Sequence, residues 1–208
     1  MHYGLDIIAF LMAVAFAAGL IDAIAGGGGL LTIPALIAAG IPPVAAIATN
    51  KLQSAIGTGG AVLAFHRKGH LDIKRFAGPV AASFIGSALG AYALTRIDPT
   101  FLKALIPLLL IVIALYFLFG PKMSDEDRHS RGKPWMLLAV VLAIGGYDGF
   151  FGPGTGSFFT TALVALFGFG MVRAIAHTRL LNFASNIAAL AVMVAGGHVI
   201  WVIGLSMA

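Results

Sequence analysis

A glycine-rich motif that occurs twice constrains the fold of this chain more than any other feature. The first copy places Asp22 before the four glycines at 26–29, and the second places Asp148 before Gly152-Pro-Gly154. In each copy an apolar run then leads to a cation among polar residues: Ala48-Thr-Asn-Lys51-Leu-Gln-Ser54 and Ala176-His-Thr-Arg179-Leu-Leu-Asn182. The acid and the cation are 29 residues apart in the first copy and 31 in the second. The chain therefore contains an internal repeat.

Apolar stretches of about 20 residues recur along the chain, and each is long enough to cross a hydrocarbon core roughly 30 Å thick. Of the 208 residues, 60% are hydrophobic and only 10% are charged. A soluble domain carries roughly a quarter charged residues. The sequence therefore predicts an all-α, polytopic protein whose solvent is the lipid bilayer.

The net charge of +5 does not require a nucleic-acid partner. Cytoplasmic loops of membrane proteins are enriched in Lys and Arg, and this accounts for the basic balance. The absence of cysteine excludes disulfides and thiolate metal sites. His177 and His198 have no partners at ligand spacing, so we expect neither a metal nor a cofactor.

The glycines predict breaks in helices. Residues 7–25 are apolar and end at the first glycine run, which is unfavourable inside a helix. Residues 30–39 are apolar but too short to span. Irregular backbone within a membrane is tolerated only where protein or a watery cavity satisfies it. We interpret this region as a re-entrant hairpin, followed by full crossings at 44–65, 76–94 and 101–119.

Loop charge predicts the orientation. The loop at 66–75 holds four Lys or Arg against one acid, and residues 120–134 hold four more, so both are expected in the cytoplasm. Three full crossings separate the starts of the two copies, and this odd number makes the copies enter from opposite faces. The sequence thus predicts two inverted-topology repeats, 1–119 and an incomplete second repeat at 135–208, joined by the linker at 120–134.

The two cations of the motif are candidates for anion binding. On this topology Lys51 and Arg179 lie about 10 Å and 9 Å below opposite faces of the membrane. A charge at that depth is costly unless it is paired or hydrated, and it marks a functional site by default. The alternative is a structural ion pair within each copy, Lys51 with Asp22 and Arg179 with Asp148. The two interpretations are compatible, because a pair can open to admit an anion.

The glycine breaks offer a second element of an anion site. A half-helix that begins just after Gly29 or Gly156 directs backbone N–H groups and the positive end of its dipole into the membrane. Transporters with inverted repeats hold anionic groups at such helix ends. The alternative is that the glycines only permit close packing. The candidate binding positions at the breaks are Gly27, Gly28, Gly154 and Thr155.

Amide and hydroxyl residues flank the two cations and could donate to anion oxygens or form interhelical hydrogen bonds. They are Asn50, Gln53, Thr178 and Asn182. The acids Asp22 and Asp148 either pair with the cations or carry a coupling proton, because burial disfavours a charged carboxylate.

An intramembrane enzyme is the rival class. Tyr147-Asp148 resembles half of an intramembrane aspartyl protease site, but the partner Gly-x-Gly-Asp is missing from the sequence. The metalloprotease motif His-Glu-x-x-His is missing as well. We therefore do not expect an enzyme.

At these residues the chain resembles the TauE/SafE family of sulfite and organosulfonate exporters, most closely its bacterial branch of probable membrane transporter proteins. The likeness runs from about residue 15 to the last residue. The motifs that carry it are Asp22-Ala-Ile-Ala-Gly-Gly-Gly-Gly29-Leu-Leu-Thr-Ile-Pro34, Ala48-Thr-Asn-Lys-Leu-Gln53, Tyr147-Asp-Gly-Phe-Phe-Gly-Pro-Gly-Thr-Gly-Ser157 and Ala176-His-Thr-Arg-Leu-Leu-Asn-Phe-Ala-Ser-Asn186.

The resemblance implies a multi-pass carrier in the bacterial inner membrane that moves small sulfur-containing anions, with its site where the two copies meet. We expect transport by alternating access between the two copies. It implies binding roles for Asn50, Lys51, Gln53, Arg179 and Asn182. Lysine is more usual in the family where Arg179 stands, and a guanidinium favours bidentate contact with an oxyanion. The alternative function is an anion channel, or a membrane binding module that does not transport.

Overall fold

The computed structural model describes residues 4–25, 27–119 and 132–208, and helices dominate this part of the chain. Gly26 and residues 120–131 of the predicted linker lie outside the described residues. The described helices are α1 (Leu5–Ala25), α2 (Gly29–Ala38), α3 (Pro43–Arg67), α4 (Ala77–Thr95), α5 (Pro99–Phe119), α6 (Pro134–Phe150), α7 (Thr155–Ala165), α8 (Met171–Ala195) and α9 (Trp201–Ser206).

Several of these helices are apolar enough for a bilayer. By length and composition, Leu5–Ala23, Ala77–Thr95 and Met171–Ala195 can each cross a membrane. Four shorter apolar helices accompany them: Gly29–Ala38, Thr100–Tyr116, Pro134–Phe150 and Thr155–Ala165. Large apolar side chains face outward on the first and fifth helices, as Phe16 and Leu118 do with 73% and 74% of their surface exposed. The protein is thus a multi-pass membrane protein.

Both predicted glycine breaks are confirmed. Helix α1 ends at Ala25 and α2 begins at Gly29, while α6 ends at Phe150 and α7 begins at Thr155, slightly before the predicted start. Gly152 and Gly154 have φ angles of +102° and +82°, in the left-handed region that favours glycine. Helix α1 has 21 residues, about 32 Å, so it is long enough to cross by itself, whereas the ten residues of α2 are not.

Helix α3 matches the predicted crossing at 44–65, but its middle is polar. It has 25 residues and begins with Pro43, whose missing N–H is not needed in the first turn. Its buried residues include Thr49, Asn50 and Lys51. Because of these polar residues, α3 is less apolar than the three described helices that can span a membrane by composition.

The long helix of each copy and the turn after it match at a shift of 128 residues. Helices α3 and α8 both have 25 residues, and both of their ends match at this shift. Each is followed by a glycine with positive φ, Gly69 at +72° and Gly197 at +70°. The next residue closes the turn, with His70 N donating to Phe65 O at 3.1 Å and His198 N donating to Met193 O at 3.0 Å. Their relative orientation in a membrane stays a prediction.

Helices α4, α6 and α8 pack closely through small residues, as the spacing of Ser83, Gly86, Ser87 and Gly90 predicts for α4. A Cβ atom on Gly90 would overlap the carbonyl oxygen of Gly146, and one on Gly149 of α6 would overlap that of Ser87. On α4 the hydroxyl of Ser83 donates to Leu181 O at 2.9 Å, and that of Ser87 donates to Ser185 O at 2.6 Å. These contacts hold α4 against both α6 and α8.

An apolar cluster joins elements of both copies around the polar centre. Ile33 of α2, Ile47 of α3, Leu94 of α4, Phe151 and Met193 of α8 are all at most 1% exposed and belong to this cluster. This core ties α2 and the second glycine break to the first part of α3 and the last part of α8.

Candidate functional site

The polar side chains at the centre of the structure come from the middle of α3 and α8. Helix α3 buries Asn50 and Lys51, and α8 buries Thr178, Arg179 and Asn182, each at most 7% exposed. Charged side chains buried to this degree need partners of opposite charge or hydrogen bonds, since their desolvation is otherwise too costly.

Lys51 of the first copy finds its partners in the second copy. Its Nζ lies 2.9 Å from Oδ1 of Asp148 on α6, and it donates to Oδ1 of Asn186 on α8 at 3.2 Å. Lys51 is 1% exposed and Asp148 is 3% exposed. The backbone also makes room for the amine: a Cβ atom on Gly152 would lie 2.9 Å from Nζ. The glycine break of the second copy therefore surrounds the cation of the first.

Arg179 of the second copy reaches in turn to the first. Its Nη1 lies 2.5 Å from Oδ2 of Asp22, and its Nη2 donates to the backbone oxygen of Asp22 at 2.5 Å. The other carboxylate oxygen of Asp22, Oδ1, accepts from the N–H of Gly28 at 3.2 Å. The guanidinium and the carboxylate together hold the end of α1 and the start of α2 against α8.

The alternative interpretation, a structural ion pair within each copy, is wrong about the partners. Lys51 pairs with Asp148 and Arg179 pairs with Asp22, so both pairs cross between the copies. The reason is the packing of the middle of α3 against α8, which turns each cation toward the glycine break of the other copy. Spacing along the chain identifies the equivalent residues, but it does not determine which copy each side chain faces.

A cavity of about 170 Å³ lies between the two copies. It is far larger than the roughly 10–15 Å³ that one water needs. The predicted site residues that line it are Asp22, Gly28, Asn50, Lys51, Gln53, Asp148, Gly154, Thr155 and Asn182. Three predicted residues, Gly27, Thr178 and Arg179, are not among the lining residues. The cavity is also lined by polar residues that the sequence did not predict as site residues, including Thr32, Ser54, Thr58 and Asn186.

Both half-helices begin at this cavity. Gly28 and Gly29 at the start of α2 line it, as do Gly154 and Thr155 at the start of α7. A Cβ atom on Gly29 would lie 3.3 Å from Cα of Pro153, so the two breaks are in contact with each other. The N-terminus of a helix carries a partial positive charge and directs N–H groups outward, which suits an anion.

Each half-helix also positions a side chain on the following long helix. Thr32 Oγ1 donates to Asn50 Oδ1 at 2.6 Å, and Thr160 Oγ1 donates to Thr178 Oγ1 at 3.1 Å. Both pairs are separated by 18 residues. Asn50 and Thr178 therefore form interhelical hydrogen bonds, one of the two roles that the sequence allows for them. Alignment of the two copies at a shift of 128 would have found the threonines, because Thr32 then falls on Thr160.

Three buried oxygens at the site have no hydrogen-bond partner among the described residues. They are Gln53 Oε1, Asp148 Oδ2 and Asn182 Oδ1. All three residues line the cavity. Buried polar atoms without partners are rare in folded proteins and cost about 1–3 kcal/mol each. These oxygens therefore indicate a place where a bound molecule, water or a proton completes the hydrogen bonding.

Comparison with known proteins identifies the family. The profile of the family described as "Sulfite exporter TauE/SafE" matches residues 11–208. The chain is 50% identical to the "Probable membrane transporter protein ORF9" of Sinorhizobium sp., a match that covers 97% of this chain and 77% of that protein. It is 45% identical to a "Probable membrane transporter protein" of Haemophilus influenzae, covering 100% and 82% of the two chains.

A third relative, the "Probable membrane transporter protein YfcA" of Escherichia coli strain K12, is 46% identical over 97% of this chain and 75% of its own length. No solved structure matches the chain. The family profile and the relatives cover nearly the whole sequence, including both glycine breaks and both cations. The chain belongs to the TauE/SafE family of membrane transporters.

Proposed function

We propose that this protein is a secondary carrier of small sulfur-containing anions, such as sulfite or organosulfonates, and that it binds them in the cavity between the two copies. The observation that carries the proposal is the meeting of Lys51 with the N-termini of α2 and α7 in one cavity. A lysine amine and two positive helix ends at one site favour an anion.

Hydrogen-bond donors complete the proposed anion site. The Oδ1 atom of Asn50 accepts from Thr32, so the NH₂ group of Asn50 is left as a donor beside the cavity. The Lys51 amine is held by Asp148 and Asn186 and becomes a donor to substrate when it leaves Asp148. An oxyanion with several acceptor oxygens can take contacts from both residues and from the helix ends.

We further propose that transport proceeds by alternating access between two inverted repeats, each with a re-entrant hairpin. The shared helix lengths of α3 and α8 and the odd number of predicted crossings support this arrangement. The pairs Lys51–Asp148 and Arg179–Asp22 are contacts between the copies. When the substrate replaces one of these ion pairs, the contacts between the copies become weaker. Binding can then favour a different arrangement of the two copies, as a ligand-driven movement requires.

In this proposal the protein lies in the bacterial inner membrane, and the exposed cations at 66–75 lie at the cytoplasmic face. The substrate reaches the cavity from one side at a time, because the two copies move relative to each other about the bound anion.

Uptake of radiolabelled sulfite, and separately of a labelled organosulfonate, into proteoliposomes tests the proposal. Lys51→Gln should reduce uptake by about ten- to a hundredfold, because a hydrogen bond from a charged group contributes about 1.5–3 kcal/mol. The matched control is Lys103→Gln, which removes an exposed lysine on α5. Uptake by folded Lys51→Gln at the control rate would exclude the role of this cation.

Counterflow distinguishes the carrier from an anion channel with the same site. Unlabelled anion inside the vesicles should accelerate uptake of labelled anion, because a carrier exchanges its substrate across the membrane. A channel should instead show the same uptake with and without unlabelled anion inside the vesicles. Binding of the anion without any flux is the behaviour of a binding module.

A further inference from the structure

We propose that Asp148 is the proton carrier of this site, so that one proton crosses the membrane with each monovalent anion. Asp148 takes up the proton when the anion replaces it as the partner of Lys51. This inference rests on the proposed function and names its coupling ion.

The two acids of the repeat differ in how their oxygens are used. Both side-chain oxygens of Asp22 have donors, Oδ2 from Arg179 and Oδ1 from the N–H of Gly28, and Arg179 also binds the backbone oxygen. A proton added to Asp22 would remove the negative charge that holds the guanidinium of Arg179. Asp22 therefore has a structural role: it holds the first glycine break against Arg179 of α8.

Asp148 has only one of its oxygens engaged. Its Oδ1 lies 2.9 Å from Lys51, whereas Oδ2 is buried and has no partner in the described part of the chain. A proton on Oδ2 would turn this acceptor into a donor. The two other buried oxygens without partners, Gln53 Oε1 and Asn182 Oδ1, are both acceptors, and their residues line the same cavity. Each of the three oxygens without a partner in the described residues is thus an acceptor, and only the one on Asp148 can become a donor by taking up a proton.

Charge balance points to the same step. Lys51 and Asp148 form a neutral pair with 1% and 5% of their side chains exposed. An anion beside this pair would set two negative charges against one positive charge at a buried position, where electrostatic energies are larger than in water. If Asp148 takes up a proton, the site stays neutral. The contact between Nζ and Oδ1 breaks, a contact between Nζ and the anion forms, and an O–H bond forms on the carboxyl group.

Near Asp148, the other charged and titratable groups are either already paired or neutral, so we assign the proton to Asp148. From α3 it faces Lys51, while Arg179 of α8 is already bound to Asp22. Its neighbour Tyr147 donates its hydroxyl to Pro153 O at 2.5 Å. The residues that α4 turns toward α6, such as Ser87 and Gly90, are neutral, and so is Thr155 at the start of α7.

The test uses the whole protein in proteoliposomes that contain a pH-sensitive dye, in buffers without sodium. The probe is labelled methanesulfonate, a strong-acid anion that carries no proton of its own near neutral pH. We expect one proton to enter with each methanesulfonate, and an acidic outside solution to drive accumulation. In Asp148→Asn the ratio of protons to anions should fall to zero. In Asp22→Asn the ratio should stay at one, whatever the flux.

Equilibrium binding provides a second readout that does not depend on flux. If binding takes up one proton, the Kd of the purified protein for methanesulfonate should rise with pH by up to about tenfold per unit. The Kd of Asp148→Asn should not change with pH. Elution volume and thermal stability establish that each variant is folded.

The outcomes separate the two proposals. Methanesulfonate flux in the wild-type protein without proton movement, or flux that requires sodium, overturns the inference about Asp148 and leaves the carrier intact. An unchanged proton ratio in folded Asp148→Asn overturns it as well. If neither methanesulfonate nor sulfite is transported, the proposed function fails and this inference fails with it.

Discussion

Lys51 and Asp148, which belong to different copies of the repeat, lie 2.9 Å apart between Nζ and Oδ1 and expose only 1% and 5% of their side chains. A pair buried to this depth contributes little net stability, because the desolvation of both charges offsets their attraction. Removing one partner is costly, because the other charge is left alone. A buried pair of this kind is suited to an exchange in which a third charged group takes the place of one partner.

A double-mutant cycle should show this coupling. Lys51→Met alone should reduce the free energy of unfolding by up to about 3–5 kcal/mol, because the buried Asp148 carboxyl group loses its cation and must stay charged alone or take up a proton. Adding Asp148→Asn should recover most of the loss, because the second change removes the lone charge. Unfolding of the purified variants in detergent measures both effects. Additive losses in the double variant would contradict the direct pairing of the two side chains.

Gly152 should be needed for transport and not only for the turn. Ala at this position meets a φ of +102° and places Cβ 2.9 Å from Nζ of Lys51. The matched control is Gly40→Ala, at a φ of +83° with nothing within 4 Å of the added atom. Both changes should cost about 1–2 kcal/mol of stability through backbone strain.

Of these two variants, only Gly152→Ala should lose uptake as well, because only it displaces the Lys51 amine. Uptake assays on variants of equal stability measure the difference. Equal uptake by the two would show that Gly152 serves the turn alone.

The contact between α4 and α6 should not tolerate a methyl group. A Cβ atom on Gly149 would overlap the carbonyl oxygen of Ser87, which is backbone and has little freedom to move. Gly149→Ala should therefore destabilise the protein by about 1–3 kcal/mol. Gly60→Ala on α3 is the control, because nothing lies within 4 Å of its added atom and Ala favours a helix by up to about 1 kcal/mol. Thermal unfolding that ranks the two variants in the opposite order would contradict the packing.

Arg179→Lys should keep the charge but lose part of the clamp on Asp22. The guanidinium uses Nη1 on the carboxylate and Nη2 on the backbone oxygen, and an amine cannot hold both with the same planar geometry. We expect a loss of about 1 kcal/mol in stability. Arg96→Lys, at an exposed arginine beside Tyr92, should change little. A loss of uptake without any loss of stability would instead assign Arg179 to the substrate.

Much of the fold follows from local properties of the sequence. Apolar length predicts a membrane protein with several apolar helices, among them the spanning helix α4. The glycines predict both helix breaks, and the small residues of α4 predict a close contact with another helix. Each of these features is set by residues that are close together in the chain or that lie on one face of a single helix. The polar centre of α3 was also predictable, because Asn50, Lys51 and Gln53 interrupt an apolar run.

The sequence by itself determined the class of protein, the repeat and the identity of the two cations and two acids, because composition and spacing are properties of the chain. Only the tertiary structure decided that Lys51 pairs with Asp148 and Arg179 with Asp22. It also decided that Lys51 lines the cavity while Arg179 does not, and that one oxygen of Asp148 has no donor among the residues that the structure describes. These outcomes depend on how α3 packs against α8, and side chains far apart in the chain become partners only through that contact.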